Sequence, residues 1–203
     1  MCCGYQHNDA FPGSHPLFAG PLGYNGSKAG MELISKADVI LALGTRLNPF
    51  STLPGYGIDY WPKDAKVIQV DINSDRIGLT KPVAVPIQGD ARMVAEQILE
   101  MLHPKAGEDG RQERLDLIAT TKSRWLQTLA SMDHEDDDPG TTWNERARNR
   151  QPEHMSPRMA WRAIQSALPS EAIISSDIGN NCAIGNAYPT FEGGRKYLAP
   201  GLF

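Results

Sequence analysis

The stretch ADVILALG, residues 37–44, is a continuous apolar run that stops at a glycine. Two further runs follow: AKVIQVDIN, residues 65–73, is β-branched and ends in aspartate and asparagine, and PVAVPIQGD, residues 82–90, closes on Gly-Asp. A strand without polar alternation is buried on both faces, as in a parallel sheet sandwiched between helices. The intervening segments have helical spacing. SKAGMELISKA (27–37) opens on a serine able to cap a helix. ARMVAEQILEML (91–102) sets Met93, Val94, Gln97, Ile98, Met101 and Leu102 along one stripe, with Asp90 placed as N-cap. Strand–helix alternation of this kind predicts an α/β fold: a Rossmann-like parallel sheet with flanking helices.

Beyond this unit the pattern breaks and restarts. HPKAGEDG (103–110) reads as a linker, and RQERLDLIATTKSRWLQTLASM (111–132) as a helix with Leu115, Ile118, Trp125 and Leu129 at helical spacing. The polar, irregular segment 133–155 reads as a surface connection. SPRMAWRAIQSALP (156–169) then places Ser156 as N-cap and Pro157 at the first helical position, with a stripe of Met159, Ala160, Ala163, Ile164 and Ala167. EAIISSD (171–177) is the next strand, followed by a glycine turn and the start of a helix. The chain therefore divides into a first α/β domain over 1–102, a linker helix and polar loop over 103–154, and the beginning of a second α/β domain over 155–203. This last part is expected to be poorly ordered, since Ile173, Ile174 and the stripe on the preceding helix lack a sheet to cover. Polar CCGYQHND directly after Met1 reads as the interior of a domain, so Met1 is not expected to be the natural start.

Composition excludes several classes. The 203 residues are 40% hydrophobic, enough for a packed core, and carry a net charge of −4. A nucleic-acid binder needs a basic face. The densest basic run, RARNR (146–150), instead follows the acidic HEDDD (134–138), and the two read as parts of one surface loop. No apolar run reaches the roughly 20 residues that span a bilayer, so no membrane partner is expected. Three cysteines make no disulfide framework, and the first residues resemble no signal peptide, which together favour the cytoplasm. Cys2, Cys3, His7 and Asp9 are metal-ligand types, but their spacing fits no zinc pattern. His15 reads as a fixed loop histidine, and Trp61, Trp125, Trp143 and Trp161 as packing residues.

Small and polar residues mark the strand ends: Gly44-Thr45-Arg46, Asp71-Ile72, Gly89-Asp90, and Asp177 through Asn181. In open α/β sheets, ligands sit beyond the carboxyl ends of the strands. Such turns favour Gly and Asp for backbone reasons alone, so each one also fits a plain strand-to-helix connection. GPLGYNGSKAG places Gly20, Gly23 and Gly26 three residues apart, which is neither a dinucleotide fingerprint nor a Walker loop.

The order HPLFAGPLGYNGSKAGMELISKADVILALGTRLN, VIQVDINSDRIG, IQGDARMVAEQIL resembles the central domain of thiamine-diphosphate enzymes of the acetolactate synthase and pyruvate oxidase group. AIISSDIGNN resembles the opening of that group's diphosphate-binding domain. The resemblance runs along nearly the whole chain. Within the group, the stretches around NDAFPGSHPLFAGPLGYNGSKAG and NPFSTLPGYGIDYWPKDAKVIQVDIN are similar to members that convert sulfoacetaldehyde and phosphate to acetyl phosphate and sulfite. The family resemblance implies three domains, thiamine diphosphate and Mg2+ as cofactors, a small-molecule substrate, and a homo-oligomer, dimer or tetramer. It makes this chain a fragment lacking the pyrimidine-binding domain and the magnesium motif, hence inactive alone. It also implies that Ile178, Gly179, Asn180 and Asn181 contact the cofactor diphosphate. Gly23, Gly26, Gly44, Thr45, Arg46, Asp71, Ile72, Gly89 and Asp90 match turns that hold FAD in flavin-containing members. FAD is not expected here, and these positions then remain as inherited turns. No catalytic residue and no metal ligand is assigned within the chain. The competing expectations are an acetolactate synthase or oxidase-like enzyme, and a non-catalytic nucleotide-binding module on a Rossmann-like sheet.

Overall fold

Three parallel strands organise the first part of the molecule: β1 (Val39–Leu43), β2 (Lys66–Asp71) and β3 (Val85–Gln88), hydrogen-bonded in the order β1-β2-β3. Register is set by Ile40 opposite Val67 and by Val70 opposite both Leu43 and Ile87. The computed structural model describes residues 1–103, 107–131, 157–177, 179–194 and 196–199. Ser156, Trp143, Ile178 and the charged runs of 134–150 lie outside the described residues.

Helix α1 (Lys28–Ile34) begins where the serine demands it. Ser27 is its N-cap, and its hydroxyl accepts the Gly30 N–H at 3.2 Å. The helix buries Met31 completely against Leu22 and Tyr60. Burying one such side chain contributes about 1.5–3 kcal/mol. Ile34 and Trp61 lie against this cluster and also against a second one, formed by Ile40, Ala42 and Val67 of the sheet with Leu47 from the loop after β1. A short helix α2 (Pro49–Thr52), capped by Asn48, follows β1. Helix α3 (Ala91–Met101) starts at Asp90, whose Oδ1 accepts from the Arg92 and Met93 N–H groups at 2.9 and 3.0 Å. Helix α4 (Arg111–Ser131) packs on α1 and buries Thr121 at its centre, with Leu115, Ile118, Trp125 and Leu129 partly buried around it.

Two expectations about packing need correction. The strands are not covered on both faces among the described residues: Val39 and Leu41 of β1 and Val85 of β3 are exposed. The α3 stripe keeps only Val94 and Ile98 of the expected residues. Ala91, Val94, Ala95 and Ile98 are partly buried, whereas Met93 and Gln97 are exposed and Met101 is 86% exposed. Spacing alone placed the stripe one residue off in phase, because the long side chains of Met93 and Met101 count as apolar whether or not anything covers them.

The last part of the chain forms a small unit of its own. Helix α5 (Pro157–Ala167) leads to β4 (Ile174–Ser175), helix α6 (Asn180–Ala187) and β5 (Tyr197–Leu198). β4 and β5 pair in parallel, Ile174 opposite Tyr197. The strand pairing and the buried Cys182, Ala183, Phe191 and Tyr197 give this part a small core, while Ile173, 65% exposed, and Met159 and Ile164 of α5 stay uncovered, as expected. α5 again presents a different face: Arg158 is buried and Trp161 and Gln165 partly so, while Met159 and Ile164 from the expected stripe are exposed.

What covers this unit is the start of the chain. Gly13 N–H donates to the Phe191 carbonyl at 2.6 Å, and a Cβ at Gly13 would lie 3.1 Å from Thr190. Ser14 Oγ donates to the Glu192 carboxylate at 2.6 Å. The same segment turns back to bond the first unit, with Leu22 N–H donating to the Cys3 carbonyl at 2.8 Å.

Candidate functional site

The carboxyl ends of β1, β2 and β3 gather three of the turns singled out from the sequence. Gly44 sits at φ +60 and donates its N–H to Val70 O at 2.9 Å, joining the β1 turn to β2. Thr45 Oγ1 accepts the Leu47 N–H, and the Arg46 carbonyl accepts from the Thr80 hydroxyl at 3.4 Å. Asp71 is buried at the end of β2, with its Oδ1 on the Asn73 N–H and its carbonyl on the Gly89 N–H. Ile72 beside it is 72% exposed. Asp71 and Asp90 thus each satisfy nearby backbone N–H groups, which is the ordinary chemistry of strand-end turns.

Gly23 and Gly26 serve the fold in a different way. Gly23 has φ +82, and a Cβ there would lie 1.8 Å from the Phe50 carbonyl oxygen. A Cβ on Gly26 would lie 2.5 Å from Pro21 O. Both glycines let the loop close on its own backbone and on α2. Tyr60, fully buried beside this loop, donates its hydroxyl to Ser51 O at 2.9 Å, and burial pushes its phenol up to about 12.

Sequence reading missed the residue that ties the carboxyl-edge turns together. Gln69 is 1% exposed in the middle of β2. Its Nε2 donates to Thr45 O at 3.0 Å and to Arg76 O at 3.2 Å, while its Oε1 accepts the Gly78 N–H at 2.9 Å. One amide therefore ties the turn after β1 to the turn after β2 with three bonds. The signal was available as a lone glutamine inside the apolar run VIQVD.

The second cluster is the glycine turn after β4. Gly179 is the N-cap of α6 with φ 99 and ψ −156, a region open to glycine and hardly to other residues. No atom lies within 4 Å of where its Cβ would be, so the demand for glycine is conformational. The cap has no side-chain hydrogen bond to the first turn. The leading N–H groups of a helix have no intrahelical acceptor. Together with the macrodipole they suit an anion. Asn180 and Asn181 occupy the first two helical positions. Next to this turn, Ser175, Ser176 and Asp177 share a cavity of about 430 Å³ with Ala160, Trp161 and Ile164 of α5.

Residues 1–98 match the family described as thiamine pyrophosphate enzyme, central domain. The central domain so identified carries β1–β3 and nearly all of α3. Over all 203 residues the chain is 80% identical to a sulfoacetaldehyde acetyltransferase of Roseovarius nubinhibens and 76% identical to one of Rhodobacter capsulatus. It covers 34% of each of those proteins. It is 26% identical over 204 residues to the acetolactate synthase isozyme 3 large subunit of Escherichia coli, covering 32% of it. The chain thus spans about a third of the length of the curated relatives it matches.

The turn after β4 fits the diphosphate end of the family's cofactor. It offers an uncapped helix start and a glycine whose missing side chain keeps the approach open. When bound, thiamine diphosphate would supply an electron sink for a carbanion at what was the substrate's carbonyl carbon. Around the turn, the central domain contributes Tyr5 and Gln6. Tyr5 Oη lies 4.0 Å from Cys182 Sγ, and Gln6 Nε2 donates to the same sulfur at 3.4 Å. Burial, reinforced by the neighbouring thiol, pushes the Tyr5 phenol up to about 12, so it stays protonated near neutrality. Tyr5 also stacks on Phe50 at 5.8 Å between ring centroids. Among the described residues no group of His, Cys, Asp and Glu is arranged to hold a metal ion. His15 is fixed within its loop, its Nδ1 accepting the Leu17 N–H at 3.1 Å and its ring edge-on to Phe11.

Proposed function

We propose that this chain is the middle portion of a thiamine-diphosphate-dependent acetyltransferase that converts sulfoacetaldehyde and phosphate to acetyl phosphate and sulfite. The observation that carries the reading is the 80% identity to a sulfoacetaldehyde acetyltransferase along the entire chain, against 26–27% to acetolactate synthases over nearly the whole chain and 34% to one over half of it. In the overall reaction the C–S bond breaks to release sulfite and its carbon takes up a proton to become the methyl group, while the aldehyde carbon loses its hydrogen as a proton and forms a C–O bond to phosphate.

In this reading residues 1–102 are the central domain, 103–154 a connection, and 155–203 the opening of the diphosphate-binding domain. Gly179, Asn180 and Asn181, with Ile178 from the family resemblance, border the diphosphate. The uncapped start of α6 supports that role. The central-domain turns at Gly44–Arg46, Asp71–Ile72 and Gly89–Asp90 are inherited structure, and the local use of both carboxylates supports this. Magnesium and the pyrimidine-facing carboxylate come from parts of the longer protein, which works as a homo-oligomer in the cytoplasm. The 203 residues alone are catalytically inert.

The test is sulfite release by the longer protein with sulfoacetaldehyde, phosphate, thiamine diphosphate and Mg2+. Sulfite together with acetyl phosphate is expected. Acetolactate from pyruvate without sulfite would move the protein to the synthases. Turnover by residues 1–203 alone would overturn the division of the site.

A further inference from the structure

Residues 5–9 of the central domain run along α6. Gln6 has φ 69, a left-handed conformation that non-glycine residues adopt infrequently. In this conformation its backbone N–H donates to Asn186 Oδ1 at 2.6 Å while its side chain reaches Cys182 Sγ. Cys182 and Asn186 are one helical turn apart, so a single residue grips one face of the helix at two levels. Asn8, also buried, donates from Nδ2 to Asn186 O at 2.7 Å and to Pro189 O at 3.1 Å, which satisfies carbonyls at the helix's far end. Asp9 is 7% exposed, and its Oδ2 accepts the N–H groups of Lys196 and Tyr197 at 2.8 and 3.0 Å. It therefore anchors the strand that pairs with β4. Asn186 is fully buried, so α6 cannot turn about its axis without breaking these bonds.

We infer that Gln6, Asn8 and Asp9 are positioning residues for the diphosphate turn: this strap fixes the axial position and rotation of α6, and with it the orientation of Gly179 and the N–H groups behind it. The inference rests on the reading of that turn as the diphosphate site. None of the three residues is placed against the cofactor. They act through the helix, and directional N–H donors are sensitive to a tilt. Cofactor affinity is thereby set in part by a segment from a different domain.

The experiment uses the full-length enzyme and titrates thiamine diphosphate with Mg2+ by calorimetry, alongside melting curves with and without cofactor. Asn8→Ala and Asp9→Ala are expected to weaken cofactor binding about tenfold and to shrink the cofactor-induced rise in Tm. Asp9→Asn keeps an acceptor oxygen for the two N–H groups and is expected to stay within about twofold of wild type. Gly179→Ala separates the two readings. If it weakens binding while Asn8→Ala and Asp9→Ala lower only the cofactor-free Tm, the strap is merely structural and the inference falls. If Gly179→Ala leaves affinity unchanged, the turn is not the diphosphate site, and the reading falls together with the inference. If Asp9→Ala does not fold, Asn8→Ala alone decides, because its loss leaves the β5 anchor in place.

Discussion

The backbone N–H of Gln6 and the side-chain oxygen of Asn186 meet at 2.6 Å across 180 residues of chain. The acceptor is fully buried, so solvent cannot replace it. Replacing Asn186 by leucine would leave the partly buried Gln6 N–H without a partner but also remove the buried, unpartnered Nδ2 of Asn186, for a net cost of about 1 kcal/mol. Urea denaturation of Asn186→Leu is expected to show that loss, with the last part of the chain unfolding earlier than the central sheet. Unchanged stability would mean that water enters this interface freely.

Gly23→Ala is expected to be among the most damaging single-methyl changes in the molecule. The new Cβ would fall 1.8 Å from Phe50 O on a backbone at φ +82. Left-handed backbone costs about 1–2 kcal/mol, and overpacking a further 1–3 kcal/mol. Thermal unfolding is the measurement. Gly57→Ala provides the control, since it shares a positive φ but has nothing within 4 Å. A similar loss in both would show that strain, not the contact, dominates.

Gln69→Leu preserves the size of the side chain and removes its amide. Thr45 O, Arg76 O and Gly78 N–H would each lose a partly buried bond. A loss of roughly 3 kcal/mol or more is expected from three groups at about 1 kcal/mol apiece. Hydrogen exchange at Gly78 should rise well before exchange in β1 does. Equal acceleration at both sites would argue for global destabilisation instead.

Alkaline pH should destabilise the central domain through its buried phenols. Tyr60 titrates near 10 when unfolded and about 12 when folded. The folded state holds the proton more tightly, so this contribution to stability is complete below pH 10 and is lost as pH rises through 10 to 12. Tyr60→Phe is expected to be less stable at pH 7, by about 1 kcal/mol for the lost bond to Ser51 O, but less sensitive to pH above 10. Parallel pH profiles for the two proteins would exclude Tyr60 as a source of the alkaline loss.

How much of this was legible in the sequence depended on the range of the interaction. Ser27 and Asp90 announced their helices because a cap acts within three residues, and the strands announced themselves through continuous apolar runs. The glycine turn after β4 was legible for the same local reason. Gly23 was legible as a glycine with a purpose, but its purpose is the Phe50 backbone, 27 positions away, which no spacing rule reveals. The strap was illegible altogether. Asn8 and Asp9 look like loop residues, and nothing near them in sequence hints at Pro189 or Tyr197. The exposed faces of β1 and α5 misled in the opposite direction, since apolar residues state what they need covered and not whether it is covered.

The strap also has a history within each molecule's synthesis. Ribosomes add about 5–20 residues per second, so Gln6 leaves the ribosome roughly 10–40 s before Asn186, 180 positions later. Over that interval the central sheet, whose paired residues lie 17 to 27 positions apart, has all its strands available and time to form. The strap has no helix to hold. Its residues Gln6, His7, Asn8 and Asp9 are polar, so the waiting segment is well solvated and offers little for a chaperone or another nascent chain to capture. An apolar clasp at the same place would wait equally long with its adhesive surface bare.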